Sequence, residues 1–305
     1  MSVVITTPSY SRPKLLGYGA AIVTVLIWSS YFLSLRFRAL SPMAIYDLAL
    51  FRFGIPGLIL GRLLVKHRQR ILEVKARYLL GIILGAGLPF FLLSAAAMNW
   101  SPVADGSTLI PGAAPLFVTG IAVWLFGQRM SMLRIVGLLA IAVGVASFLY
   151  SSLIDPNLEL LHGHLLFLVC SFLWAVFTIS VRQSGLNPLE VTAVLTVPNG
   201  TLLVLWGLVM QPGLTWNALP AGDLTALMLT QGIAVGLGSG VLYAYAISRL
   251  GAEATSAIGS MTPVSATLLA AVLLSESIEL TALLGSILVT AGVICLSGVL
   301  NRPST

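Results

Sequence analysis

The sequence predicts an all-α integral membrane protein with ten transmembrane helices, arranged as two inverted five-helix repeats around a central cavity. This prediction rests on three observations: the composition, ten long apolar runs and a motif that occurs twice. Of the 305 residues, 58% are hydrophobic and only 9% are charged, whereas a soluble domain carries about 25% charged residues. Because so few charges cannot cover a surface in water, most of the surface must contact lipid.

Ten apolar runs each have about the 20 residues that a helix needs to cross a bilayer. They are apolar on every side, which favours helices over the alternating strands of a membrane β-barrel. The first run is too long for a signal peptide and no cleavage site of small residues ends it, so we interpret it as a retained helix. The predicted spans are 15–35, 43–65, 78–98, 103–126, 132–152, 163–181, 189–210, 223–248, 252–275 and 280–300.

The basic residues orient these spans. With the N-terminus in the cytoplasm, thirteen lysines and arginines fall on the cytoplasmic side and only Arg36 and Arg38 on the other, while Arg52 lies within a span. This imbalance follows the positive-inside rule, and an even number of spans places both termini in the cytoplasm. The thirteen residues are Arg12, Lys14, Arg62, Lys66, Arg68, Arg70, Lys75, Arg77, Arg129, Arg134, Arg182, Arg249 and Arg302.

Several classes of function can be set aside. The net charge of +6 does not predict nucleic-acid binding, because the basic residues lie in short loops rather than on one face. Cys170 and Cys295 each lie in an apolar run, so we expect two buried apolar residues rather than a disulfide or a metal site. The chain has no H-E-x-x-H motif and neither thiol has a nearby base, so we expect neither an enzyme nor a cofactor.

One motif occurs twice. Residues 28–36 read WSSYFLSLR and residues 174–182 read WAVFTISVR, so both follow W-x-x-[aromatic]-x-x-S-x-R at an offset of 146 positions. Pro42 and Pro188 end the following turns at the same offset. Later in each half the offset becomes 148, and the pairs are then Asp105 with Glu253, Pro115 with Pro263, Gln128 with Glu276, Gly137 with Gly285 and Gly144 with Gly292.

The duplication divides the chain into two halves. We expect a cytoplasmic tail at 1–14, a first five-helix repeat at 15–152, a second at 163–300 and a cytoplasmic tail at 301–305. Because five is odd, the second repeat enters the membrane upside down. Inverted repeats of this kind are typical of secondary transporters, in which the substrate binds near the midplane where the halves meet.

These motifs resemble the EamA branch of the drug/metabolite transporter superfamily. The resemblance rests on W-x-x-[YF] in the first and sixth spans, on Arg52 within YDLALFRF, and on P-x(12)-[QE] followed by glycines in both halves. It covers nearly the whole chain and is greatest to the YddG-type amino-acid exporters. It implies a bacterial inner-membrane carrier that exports amino acids, often aromatic ones. The family often has an acidic residue where this chain has Gln128, whereas Glu276 retains it in the second half.

The repeated motif supplies candidate substrate-binding residues. Trp28, Tyr31 and Ser34 are spaced three apart and lie roughly along one helical face, as do Trp174, Phe177 and Ser180. Two such stripes could flank a cavity that binds a flat apolar solute by stacking and by a few polar contacts. Interior helix packing is the alternative interpretation of both stripes.

Charged residues inside a span mark function by default, because burying them in lipid is costly. Arg52 is a candidate for binding a carboxylate or for gating, and a structural arginine bonded to carbonyls is the alternative. Asp47 is a further gating or coupling candidate that could lie at the interface. Asp105 and Glu253 begin their spans, which suits either helix-dipole acids or a symmetric gate or proton site.

Other polar and aromatic residues complete the candidates. Asn199 lies at mid-depth and Tyr243 continues the eighth span, so both could face the cavity, while Trp100 is a candidate gate or rim residue. His162 and His164 lie in a predicted loop, and we expect plain surface histidines. Glycine stripes in the third and eighth spans, including Gly232 and Gly236, favour close helix packing.

The sequence thus predicts a secondary transporter that exports aromatic or other apolar amino acids and related small metabolites by alternating access. A facilitator or channel without ion coupling, and a multidrug or cation exporter of the same superfamily, are the alternatives. The expected partners are a small-molecule substrate and the lipid bilayer, with no nucleic acid. The oligomeric state is left open by the sequence.

Overall fold

A computed structural model describes residues 12–127, 130–154 and 158–296 of the chain. These residues form helices joined by short connections, and no strand occurs among them. Nine helical segments in the described ranges are long and apolar enough to cross a membrane, and a shorter apolar helix follows at Ala282–Leu296. The predicted class, an all-α membrane protein of ten helices, is confirmed.

We number the ten membrane helices in chain order. The first half contains α1 (Arg12–Ala39), α2 (Ile45–Lys66), α3 (Ala76–Gly85 and Leu88–Ala97), α4 (Val103–Phe126) and α5 (Met132–Ile154). The second half contains α6 (Leu158–Ser184), α7 (Pro188–Met210), α8 (Ala221–Leu250), α9 (Ala252–Gly259 and Thr262–Leu273) and α10 (Leu280–Leu296). We call the end of the bundle that carries residues 62–77 the basic face, and the end that carries residues 36–44 the opposite face.

Two spans that the sequence predicts as continuous, 78–98 and 252–275, are each broken in two. In α3 the first half ends at Gly85 and the second begins at Leu88. Gly87 permits this break, because a Cβ added there would overlap the carbonyl oxygen of Ile83. In α9 the second half begins at Thr262, where the following proline suits the first turn of a helix.

Two other helices contain π-helical turns that the hydrophobic pattern does not predict. The π turn of α2 covers Leu50–Gly54, and that of α8 covers Met228–Gly238. The two segments pack against each other: a Cβ on Gly232 would lie 3.1 Å from the carbonyl oxygen of Phe51. A π turn widens the helix and displaces the residues that follow it, and such turns are frequent at functional sites.

Close glycine contacts join α5 to α10. A Cβ on Gly292 would lie 2.6 Å from the carbonyl oxygen of Gly137, and one on Gly144 would lie 2.9 Å from that of Gly285. Small residues let two helices approach until their backbones touch, which is how helices gain packing energy in lipid. The repeat relates Gly137 to Gly285 and Gly144 to Gly292. All four glycines therefore pack at one contact between α5 and α10 within the chain.

We predict that Gly292→Ala destabilises the protein, by about 1–3 kcal/mol as for other overpacked cores. The added methyl would meet the Gly137 carbonyl oxygen at 2.6 Å and Ile141 Cγ1 at 2.7 Å. The matched control is Gly120→Ala, where nothing lies within 4 Å of the added Cβ. Thermal unfolding of both variants in detergent tests this, and an unchanged melting temperature for Gly292→Ala would contradict it.

Candidate functional site

Two connected cavities lie inside the bundle. The larger one, which we call the vestibule, has a volume of about 410 Å³ and extends to Arg134 and Arg182 at the basic face. The smaller one, the central cavity, has a volume of about 130 Å³ and lies deeper. Trp28, Pro111 and Trp174 line both, so the central cavity opens through the vestibule toward the basic face.

Aromatic rings from three helices form much of the wall of the central cavity. Tyr31 of α1 stacks on Phe90 of α3 with ring centroids 6.4 Å apart, and Phe90 lies 5.7 Å from Trp174 of α6. At the entrance, Trp28 lies 5.0 Å from Tyr243. The Tyr31 hydroxyl is hydrogen-bonded to Ser94 at 2.9 Å. Trp28, Tyr31 and Trp174 thus lie in the walls of these cavities, and Tyr243 lines the vestibule.

Arg52 lines the central cavity from the π turn of α2. Its guanidinium carbon lies 5.3 Å from the centroid of the Phe53 ring. Its Nη1 atom is buried and has no hydrogen-bond partner among the described residues. A buried donor without a partner is costly, so this N–H can donate a hydrogen bond to a ligand atom at little further cost in desolvation.

Asn199 holds the break in α3 from outside the central cavity. Its side-chain oxygen accepts from the Leu88 N–H at 3.0 Å, and its side-chain nitrogen donates to the Ile83 carbonyl at 3.0 Å. Both backbone groups lose their regular partners where the helix is interrupted, and lipid offers none. Asn199 therefore supports the cavity wall by fixing the half-helix that carries Phe90, rather than by lining either cavity.

Three members of the two predicted stripes pack between helices and line neither cavity. Ser34 accepts a hydrogen bond at 2.6 Å from the side chain of Gln231 in α8. Phe177 and Ser180 face α3, where a Cβ on Gly85 would lie 2.7 Å from the Phe177 nitrogen. The residues of each stripe that follow Tyr31 and Trp174 therefore lie outside the cavity walls, because α1 packs on α8 and α6 packs on α3 at these positions.

Asp47 lies at the opposite face and caps a connection. Its Oδ2 atom accepts from the backbone N–H and hydroxyl of Thr215, at 2.7 and 2.6 Å, and from the N–H of Trp216 at 3.0 Å. The Trp216 ring stacks on Phe51 with centroids 5.6 Å apart. Asp47 therefore anchors the segment between α7 and α8. It lies nearer the start of α2 than Arg52 does.

Asp105 forms a buried polar cluster that joins the two halves. Its Oδ2 lies 2.7 Å from Nε2 of His164, whose Nδ1 lies 2.9 Å from the Ser152 hydroxyl. His164 is 1% exposed, so the expectation of a surface histidine is wrong for this residue: it lies on the face of α6 that packs against Asp105 and Ser152. The side chain of Glu253, the repeat counterpart of Asp105, lies outside the described residues.

An ion pair closes the bundle at the opposite face. Arg36 Nε of α1 lies 2.6 Å from Glu276 Oε1 after α9, and Arg36 also donates to the Met98 carbonyl at 2.7 Å. The second Glu276 oxygen accepts from the N–H of Val103 at 2.9 Å. One side-chain pair thus joins the ends of α1, α3, α4 and α9. Nearby, Trp100 is 39% exposed on the rim.

A second charged cluster ties helices together at the basic face. Glu190, fully buried at the start of α7, lies 2.8 Å from Nδ1 of His67 and 3.5 Å from Arg70. It also forms a capping box with Asn187. Neither this cluster nor the Arg36–Glu276 pair was predicted. The capping pattern N-P-L-E was readable in the sequence, but the ion pairs were not, because His67 lies 123 residues from Glu190 and Arg36 lies 240 residues from Glu276.

A duplicated ten-helix bundle whose central cavity is formed by residues of both halves is typical of membrane transporters. Comparison with known proteins agrees: the EamA-like transporter family matches residues 15–150 and 161–298. The chain therefore belongs to this family of the drug/metabolite transporter superfamily and is a multi-pass membrane transporter. None of the curated proteins matches it.

Solved structures share the fold. One crystal structure, described only as that of a protein, has a TM-score of 0.61 at 20% sequence identity, and the match covers 96% of this chain and 100% of the other. At this identity the likeness concerns the path of the helices and carries no information on what is transported.

We predict that Asn199→Leu lowers the melting temperature, because it leaves the Leu88 N–H and the Ile83 carbonyl without partners. Each such group costs about 1–3 kcal/mol when buried. Thr201→Val, in which an exposed hydroxyl bonded only to its own helix is removed, is the control on the same helix. Thermal unfolding of both variants measures the difference, and equal melting temperatures would refute the structural role of Asn199.

Proposed function

We propose that the protein exports aromatic or other apolar amino acids across the inner membrane of a bacterial cell. One observation carries the proposal: the Arg52 guanidinium has a buried nitrogen without a partner and lines a cavity walled by aromatic rings. A solute with a carboxylate and a flat apolar side chain complements both features. The resemblance to YddG-type amino-acid exporters supports the same class of substrate.

Binding would use a small number of contacts. The carboxylate accepts hydrogen bonds from Arg52, which can be bidentate and are stronger than bonds between neutral groups. The side chain of the solute packs against Trp28 and Trp174, which both line the passage between the two cavities. Aromatic rings prefer offset or edge-to-face contacts, and these rings offer both a face and an edge.

The transport step follows from the arrangement of the two faces. The central cavity opens through the vestibule to the basic face, which the positive-inside rule assigns to the cytoplasm. At the opposite face the Arg36–Glu276 pair joins helix ends from both repeats. Rocking of one repeat against the other would break this pair, open the opposite face and close the vestibule.

The competing functions fit these features less well. A channel needs a continuous path, whereas the opposite end of the bundle is tied by the Arg36–Glu276 pair and its bonds to Met98 and Val103. An exporter of cations would bring a positive charge beside Arg52, and no described Asp or Glu lines either cavity to compensate it. Both observations favour a carrier of solutes with a carboxylate.

We predict that Arg52→Gln weakens binding of L-phenylalanine about 10- to 100-fold, because a hydrogen bond to a charged group contributes about 1.5–3 kcal/mol. The control is Arg62→Gln, which removes an exposed arginine of the same helix. Equilibrium binding to the purified protein and counterflow in proteoliposomes measure the effect. Equal binding by Arg52→Gln and Arg62→Gln would remove Arg52 from the site.

We also predict that Glu276→Gln opens the opposite face more often, since it removes the ion pair with Arg36. The reporter is Ser239→Cys in the central cavity, placed in a chain whose two native cysteines are replaced by alanine. A membrane-impermeant maleimide added at the opposite face should label it several-fold faster than in the parent.

Glu279→Gln is the matched control for this labelling experiment, because Glu279 is exposed near Glu276 and forms no ion pair within the described ranges. It should label at the parental rate. If Glu276→Gln also labels at the parental rate, the Arg36–Glu276 pair does not control access from this face.

A further inference from the structure

The path from the basic face to the central cavity is lined by positive charge. Arg134 and Arg182 line the vestibule, and Arg52 lines the central cavity. Within the described part of the chain, none of the three forms an ion pair. The described residues that line the two cavities include no Asp or Glu. The electric field along this path therefore attracts anions toward the centre of the bundle.

Two helices are broken beside the inner end of this path. The second half of α3 begins at Leu88, with Ala86 and Phe90 on either side of its start in the cavity wall. The second half of α9 begins at Thr262, which also lines the central cavity. The N-terminus of a helix carries partial positive charge, and in transporters such half-helix ends face anionic groups of the substrate.

The two charges of an amino acid would meet different environments in this cavity. The carboxylate finds the Arg52 nitrogen that has no other partner. The ammonium would lie close to the same guanidinium, and no described carboxylate of the wall offers it a counter-ion. Aromatic faces and hydroxyl groups partly replace its hydration, but taking a charge out of water without a counter-charge is costly.

We infer that the central cavity is selective for monoanionic carboxylates with an aromatic or apolar body, and binds them more tightly than the zwitterionic amino acids of the same shape. This inference rests on the proposed function, since it takes the carboxylate site at Arg52 from it. It goes further, because it states that binding requires the carboxylate and is weakened by the ammonium group. The chemical class includes deaminated and N-acylated amino acids with aromatic or branched side chains.

The test is a series of four probes that share a phenyl ring on a short alkyl chain and carry different charged or neutral polar groups. They are 3-phenylpropionate, L-phenylalanine, 3-phenylpropanol and 2-phenylethylamine, each measured by equilibrium binding to the purified full-length protein in lipid nanodiscs at neutral pH. We expect 3-phenylpropionate to bind about tenfold more tightly than L-phenylalanine, and the alcohol and the amine at least tenfold more weakly than either.

Variants separate the central site from the vestibule. Arg52→Gln should weaken 3-phenylpropionate binding by at least about tenfold. The pair Arg134→Gln and Arg182→Gln should mainly slow association and reduce its dependence on salt, because these side chains act at a distance. The pair Arg62→Gln and Arg77→Gln removes the same net charge from exposed positions that line neither cavity, and should change neither.

The outcomes are distinguishable. If L-phenylalanine binds more tightly than 3-phenylpropionate and its binding depends on Arg52, the selectivity for anions is refuted while the proposed amino-acid function stands. If neither carboxylate binds, both proposals fail. Because the charge series uses the unaltered protein, it decides the question even if Arg52→Gln does not fold.

Discussion

The interior of a bilayer offers no hydrogen-bond partners, and the break in α3 shows how the structure meets this constraint. A break in a membrane helix frees backbone groups that only another part of the protein can satisfy. In α3 this is done by one side chain, Asn199, which bonds to groups on both sides of the break. The break in turn begins the half-helix that carries Phe90 into the cavity wall. The central cavity therefore depends on polar contacts made outside it.

The two repeats are equivalent in fold but not in charge. Arg36 and Arg182 occupy equivalent positions, yet Arg36 pairs with Glu276 whereas Arg182 is exposed in the vestibule. The repeat counterpart of Glu276 is Gln128, which lies outside the described residues. A glutamine cannot form an ion pair, so an equivalent closure at the basic face would be weaker than that at the opposite face. This difference is consistent with a cavity that opens to the basic face.

Much of this fold could be predicted from the sequence, because lipid leaves only helices available to long apolar runs, and the repeated motif relates the two halves. Trp28 and Trp174 were predicted in the same way, and both line the two cavities. The π turns were not predictable, since they depend on which neighbour packs against the helix rather than on hydrophobic period. The burial of His164 and the Arg36–Glu276 pair were missed because their partners are distant along the chain.

The proposed binding site is tested most directly by an experimental structure of the protein in lipid with L-phenylalanine bound. We predict a conformation that is open to the basic face, with the carboxylate of the ligand roughly 3 Å from the Arg52 guanidinium nitrogens and its ring against Trp28 or Trp174. A ligand bound elsewhere in the bundle, or an Arg52 side chain fully bonded to backbone carbonyls and turned away from the cavity, would contradict the account.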